Sequence, residues 1–338
     1  MGSGAPPSHP TGPSHSIRER AAAPVDPFDE AVVGLPAPAL RPFVGHYLGY
    51  RQRVERELRR REVAGAFVVV VLGWGAPLDI VDPRDAARSA YRVDSFVAGT
   101  FDAWCTTSTV GVGTGVQLTL TPPAARRMLG VPLGELTNRA LAAEQLPGGW
   151  LDRLRGRLAD TPDWAGRFAL LDAAIGARLA VADPVDPALR WAWGRLAHSG
   201  GLVGVGALAE ELGCSRRHLA ARFRRELGLT PKTTARLLRF QGAYALLTGA
   251  PPAGAPTEPG GADERGTGPA ERGGRGSGGA AGHVRRDPYG PAGRPAGAEL
   301  AAACGYYDQS HLIRDFREFA GDTPAGLMGS RSHSSNPR

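Results

Sequence analysis

Apolar and polar positions follow two different rhythms along this chain. From residue 40 to residue 121 they fall in short runs rich in β-branched residues, with turn residues between them, which predicts strands. The run "EVAGAFVVVVLGWG" has the valine density of a buried strand, and "PLDIVDP", "YRVDSFVAGTF", "TSTVGVG" and "VQLTLTP" follow it. From Pro123 onward the spacing becomes helical, through "PAARRML", "PLGELTNRALAAEQL", "GWLDRLRGRLAD" and "DWAGRFALLDAAIGARLAV". In the last of these Trp164, Phe168, Leu171 and Ile175 recur at helical intervals. "DPALRWAWGRLAHSGG" predicts another helix, closed by Gly200 and Gly201. Helical spacing then occupies 203–249, resumes at Ala298 and stops near Met328.

Residues 250–297 interrupt that pattern. They are poor in large apolar side chains and dense in Gly, Pro and charge, so burial cannot offset their chain entropy and a disordered insert is expected. Residues 1–26 and 329–338 read as tails. The expected architecture is α+β. A β-rich domain with trailing helices spans 27–185, and an all-α domain follows at 186–249 and 298–328.

Within the all-α domain a single string occurs twice. "HLIRDFREFAGDTP" at 311–324 matches "HLAARFRRELGLTP" at 218–231. Ahead of the first copy, Leu208 and Leu212 give a short helix one apolar face. Gly213 suits the left-handed turn that ends it, and Ser215 caps the next helix. There Leu219, Phe223 and Leu227 form one stripe, Gly228 ends the helix, and Thr230-Pro231 opens another. The second copy repeats the plan with Gly305, Asp308, Leu312, Phe316, Gly321 and Thr323-Pro324. Two short helices joined by a tight glycine turn make a helix-turn-helix, so two such units are expected.

Charge then separates this surface from an ordinary solvated one. The chain carries a formal charge of +7, nearly all its bases are arginine, and Lys232 is the only lysine. From Ser215 to Thr248 the bases are Arg216, Arg217, Arg222, Arg224, Arg225, Lys232, Arg236 and Arg239, against the single acid Glu226. Solvated faces usually mix signs, so this imbalance favours a surface that meets phosphate. In the second unit the outward positions are Gln309, Ser310, Ile313, Arg314 and Arg317. Gln can read adenine, Arg can read guanine, and an apolar side chain can pack on a thymine methyl. Asp315 and Glu318 dilute the positive charge there.

The paired units, with "GYYDQSHLIRDFREFAGDTP" in the second, resemble the DNA-binding domain of AraC/XylS-type transcriptional regulators. The resemblance covers about 201–249 and 298–328, and Gly305, Tyr306, Gln309, His311, Leu312, Arg314, Phe316, Gly321 and Pro324 carry it. It implies a sequence-specific regulator that sets two recognition helices in successive major grooves of double-stranded DNA. Helix 231–249 would link them. Base-reading positions carry over to Arg216, Arg217, Ala220 and Ala221, and to Gln309, Ser310, Ile313 and Arg314. Phosphate contacts are expected from Arg222, Arg224, Arg225 and Arg236, and Arg317 is a further DNA-binding candidate. Two departures matter: Ala220 and Ala221 stand where longer polar readers are common, and the insert replaces a short connection. The N-terminal half resembles the β-rich domain that in some members senses a small molecule or mediates dimerisation. A small-molecule effector, RNA polymerase and a second copy of the chain are thus further candidate partners. The rival reading is a nonspecific architectural DNA-binding protein.

Other chemistry finds little support. Cys105, Cys214 and Cys304 are odd in number and widely spaced, which fits neither a disulfide framework nor a paired-cysteine metal site. "GVGTG" at 111–115 precedes a strand rather than a helix, so a glycine-rich hairpin is expected, not a phosphate loop. GxSxG, HExxH, P-loop and PCHR motifs are missing, and no enzymatic activity, cofactor or metal is expected. His15 and His46 are isolated. Trp74, Trp104, Phe101 and Cys105 could line an apolar pocket or simply form core. With no secretory-type N-terminus and "AFVVVVLGW" too short to span a bilayer, a cytoplasmic location without membrane attachment is expected.

Overall fold

A computed structural model describes residues 28–249 and 297–332. The stretch 1–27, the insert up to residue 296, and 333–338 lie outside the described residues. The N-terminal half of the fold is an antiparallel sheet of β1 (Phe28–Gly34), β2 (Val44–Glu62), β3 (Val68–Gly75), β4 (Leu78–Val81), β5 (Ala90–Val93), β6 (Ser95–Ala98), β7 (Cys105–Leu120) and β8 (Ala140–Ala142). Its order is β1-β2-β7-β3-β6-β8, with β4 paired to both β5 and β7. The long β7 organises the sheet. It pairs with β2 along nearly its whole length, with β3 over its second half and with β4 over its first.

Strand alternation sends side chains to two faces. One face carries Tyr47, Val70, Leu72, Val116, Leu118 and Leu120, buried against α1 (Pro122–Leu129), α2 (Trp150–Asp160) and α3 (Trp164–Val181). Asp172 of α3 accepts from the Tyr47 hydroxyl at 2.8 Å, which ties that helix to the sheet. The opposite face holds a smaller cluster around Val71, Ile80, Phe96 and Phe101.

The C-terminal half is helical: α4 (Pro187–His198), α5 (Val205–Glu211), α6 (Arg216–Leu227), α7 (Pro231–Thr248), α8 (Gly297–Ala303), α9 (Gln309–Ala320) and α10 (Pro324–Ser332). These share one core, in which Phe240 of α7 meets Phe316 and Phe319 of α9 with ring centroids at 5.0 and 5.4 Å. Ala64 and Ala66, from the corner between β2 and β3, are buried in this same core, so the sheet reaches into the helical half. Among the described residues no helix is long and apolar enough to cross a membrane.

Three local expectations are corrected. "GVGTG" does not turn a hairpin: it lies inside the unbroken β7, where Gly111 has φ +105° beside a register shift against β2. Pairing on both sides holds the segment extended. "PLGELTNRALAAEQL" is not one helix but two 3-10 turns, Leu133–Leu136 and Ala143–Gln145, on either side of β8. The pairing of β8 with β6 overrides the helical spacing. Finally, α10 continues beyond Met328 to Ser332.

Candidate nucleic-acid interface

Both helix-turn-helix units are built from the same local contacts. Gly213 (φ +60°) and Gly305 (φ +68°) take the left-handed conformation at the end of α5 and α8. The next amides then reach back: Cys214 N–H donates to the Ala209 carbonyl and Tyr306 N–H to that of Ala301, each at 2.9 Å. Ser215 caps α6 by accepting from His218 N–H at 3.1 Å, and Asp308 caps α9 by accepting from His311 N–H at 2.7 Å. Leu219, Phe223 and Leu227 face the core from α6, as Leu312, Phe316 and Ala320 do from α9.

This frame fixes which side chains face solvent. On α6, Arg216, Arg217, His218, Ala221, Arg224 and Arg225 are exposed and Ala220 is half-buried. On α9, Gln309, Ser310, Arg314 and Arg317 are exposed and Ile313 is half-buried. The first residues of the two helices also lie alike. The Arg216 guanidinium rests against Gly206 of α5, and the Gln309 amide against Gly297 of α8.

Two of the expected DNA-contacting arginines are held elsewhere. Arg222 pairs with Asp186, the N-cap residue of α4. Arg236 points from α7 into α9, where it binds Asp315 at 2.6 Å and Glu318 at 2.6 Å. Asp315 is fully buried. Burial would lower the Arg236 pKa, but its two carboxylate partners outweigh that and raise it. Arg239 is turned inward too, donating to the Gly201 carbonyl at 2.6 Å. Three of the eight bases that the sequence places in this region therefore hold helices together.

The C-terminal ends of α6 and α9 rest on the β-rich half. At α6, Glu226 pairs with Arg126 of α1 at 2.8 Å. Burial would raise the Glu226 pKa, but the hydrogen bonds from Arg126 and Arg225 hold it below the ordinary value. The Thr137 hydroxyl donates to the Gly228 carbonyl at 2.6 Å, and Gly134 lies against the Arg224 and Arg225 carbonyls. At α9, Ala64 N–H donates to the Phe319 carbonyl at 2.8 Å and Arg61 to the Gly321 carbonyl at 3.1 Å. The Trp104 ring packs against both Arg61 and Gly321. The N-terminal halves of both helices stay exposed. Sequence reasoning missed this docking; a lone acid among eight bases, Glu226, was its one trace.

The four residues considered for an apolar pocket separate. Phe101 and Cys105 line a cavity of about 340 Å³ inside the sheet, as does His46. Trp74 is on the helix-covered face over Arg167, and Trp104 is at the α9 contact. Burial pushes the Cys105 thiol up to about 12. His15 lies outside the described residues. Among the described residues no group of His, Cys, Asp or Glu is placed to hold a metal ion.

No family model matches the sequence, and neither does any curated protein. Solved structures do show likeness. ToxT from Vibrio cholerae shares 9% identity at a TM-score of 0.42, over 84% of this chain and 97% of that one. ToxT from strain SCE256, with an unsaturated fatty acid bound, shares 8% at 0.41, over 89% and 96%. The AraC-like transcriptional activator CuxR shares 17% at 0.27, over 64% and 87%. With TM-scores below 0.5, none of these likenesses identifies a function.

Proposed function

We propose that the chain is a sequence-specific DNA-binding transcription regulator that sets α6 and α9 into successive major grooves. One observation carries this reading. The same helix-turn-helix occurs twice, and each copy exposes the N-terminal half of its second helix while burying the C-terminal end. N-terminal residues of a recognition helix are the ones that meet base edges. Arg216 and Arg217 read guanine, Ala220 and Ala221 pack on thymine methyls, and Gln309, Ser310, Ile313 and Arg314 read the second groove. Arg224, Arg225 and Arg317 meet phosphate. Arg236 does not: its partner Asp315 is fully buried, and leaving it unpaired would cost more than an exposed phosphate contact returns, while Arg222 is engaged by Asp186.

The docking against the sheet supports a fixed spacing between the two helices. Each is anchored to the β-rich half by its own contacts, besides the chain that joins α7 to α8. Selection of bound sequences from a random DNA pool tests the proposal. Two short motifs about 10 base pairs apart are expected. A single motif would refute two-groove binding, and binding with a steep salt dependence but no enriched sequence would favour the architectural reading.

A further inference from the structure

The two helix-turn-helix units share one further detail. Gly206 is the second residue of α5, and Gly297 is the first of α8. Alanine is the better helix former, so glycine in both places needs a reason. At Gly206 the backbone does not supply one, because its φ is not positive and alanine would fit it. Space does. A methyl carbon on Gly206 would stand 2.6 Å from Nη2 of Arg216, 3.0 Å from its Cζ and 3.1 Å from its Nε. Three guanidinium atoms at nearly one distance mean that the group lies with its face on the glycine. On Gly297 the same carbon would overlap the Gln309 amide nitrogen and stand 2.9 Å from the amide carbon. Other helical glycines, such as Gly156, Gly176, Gly194 and Gly242, have nothing within 4 Å of such a carbon. Arg216 and Gln309 are the first residues of α6 and α9, and both are exposed. Neither has a hydrogen-bond or ion-pair partner among the described residues.

We propose that Gly206 and Gly297 are positioning residues for base reading: each is a bare seat on the first helix of its unit that sets the plane of the first reader, Arg216 or Gln309, toward one base pair. Arginine reads guanine and glutamine reads adenine through two parallel hydrogen bonds, so each planar group must arrive edge-on. Both side chains rotate about several bonds unless something holds them. A carboxylate would hold the guanidinium but would compete with the base for its N–H groups. A patch of bare backbone sets the plane and leaves those groups free. Any side chain on the seat would tilt the reader and return its freedom. Ordering a long side chain only on binding weakens the contact about two- to tenfold. The same arrangement under two chemically different readers marks it as part of the unit rather than an accident of packing. The inference rests on α6 and α9 being recognition helices.

The test uses the full chain and the variants Gly206→Ala and Gly297→Ala, each passed through selection from a random DNA pool and then titrated against single-base variants of the selected sequence. Gly206→Ala should lower the preference at one base pair of one half-site about two- to tenfold. The other half-site, affinity for random DNA and the salt slope should stay as they were. Gly297→Ala should do the same in the other half-site. Arg216→Ala should lose preference at the base pair that Gly206→Ala affects, and adding Gly206→Ala to it should change nothing more. Without DNA, nitrogen-15 relaxation at Arg216 Nε should show a more mobile side chain in Gly206→Ala, while the melting temperature is unchanged or higher. Retained preference in both variants, with Arg216 equally ordered, overturns the seats. A lower melting temperature with both half-sites weakened alike makes the glycines structural and overturns the positioning role. If the unaltered chain enriches no sequence, the DNA-binding reading falls and this inference falls with it, an outcome distinct from loss of the seats alone.

Discussion

Replacing Arg236 by Met separates a helix clamp from a phosphate contact. Methionine keeps the aliphatic packing of the stem and removes the guanidinium. Asp315, fully buried, then loses its counter-charge. Breaking a buried pair from one side costs about 3–5 kcal/mol. The low end applies because the Arg236 side chain remains 23% exposed and water reaches the pair. The second partner, Glu318, is 44% exposed, so its pair adds less than about 1 kcal/mol. A loss of about 3 kcal/mol corresponds to a fall of about 6–12 °C in the melting temperature of a unit this size. Thermal and urea unfolding, followed by far-ultraviolet circular dichroism, measure it. Adding Asp315→Leu to Arg236→Met should restore much of the loss, since an apolar pair can replace a buried ionic one. An unchanged unfolding midpoint together with weakened DNA binding would refute the clamp and return Arg236 to the phosphate-binding set.

Arg217→Ala should relax sequence preference at one half-site, whereas Arg224→Ala should weaken binding to all sequences and flatten the salt slope by about 1; titrations at several salt concentrations show which. Gly134→Ala places a methyl carbon about 3 Å from the Arg224 and Arg225 carbonyls, so the α6 docking must shift, and faster hydrogen exchange at the end of α6 reports it. The folded Glu226 pKa lies below the ordinary 4.5, so the stability it contributes is present above that value and is lost as pH falls through the folded one. The difference in urea midpoint between the native chain and Glu226→Gln should therefore be level above about pH 5.5 and shrink toward pH 3. Cys105, held up at about 12 by burial, should resist iodoacetamide at pH 8 until the chain unfolds, as peptide mass mapping would reveal.

The helix-turn-helix units were legible because their determinants are local. Caps such as Ser215 and Asp308, turn glycines and stripes four residues apart all act within one or two turns of chain. The β-rich half was legible in kind but not in detail. β1 is a short edge strand held by pairing with β2, and the charged half of β2, "RQRVERELRRRE", lacks the apolar alternation of a strand. Long-range pairing with β7 makes it one. Arginine direction was the least legible feature. Arg222 and Arg224 are alike in sequence, but one meets Asp186, from far earlier in the chain, and the other faces solvent. Spacing cannot show which carboxylate folds back onto a base.

The packing of α7 against α9 makes the molecule divisible. Phe240, Phe316, Phe319 and the Arg236 pairs join the two sides of the insert through non-covalent contacts alone. Partners within one chain meet at an effective concentration of at most about millimolar. Two separately made polypeptides, one ending after Gly249 and one beginning at Gly297, would forgo that advantage, at most about 4 kcal/mol at micromolar concentration. What remains is an ordinary bimolecular association, so the second helix-turn-helix can in principle be withheld from the protein, or supplied to it, as a subunit.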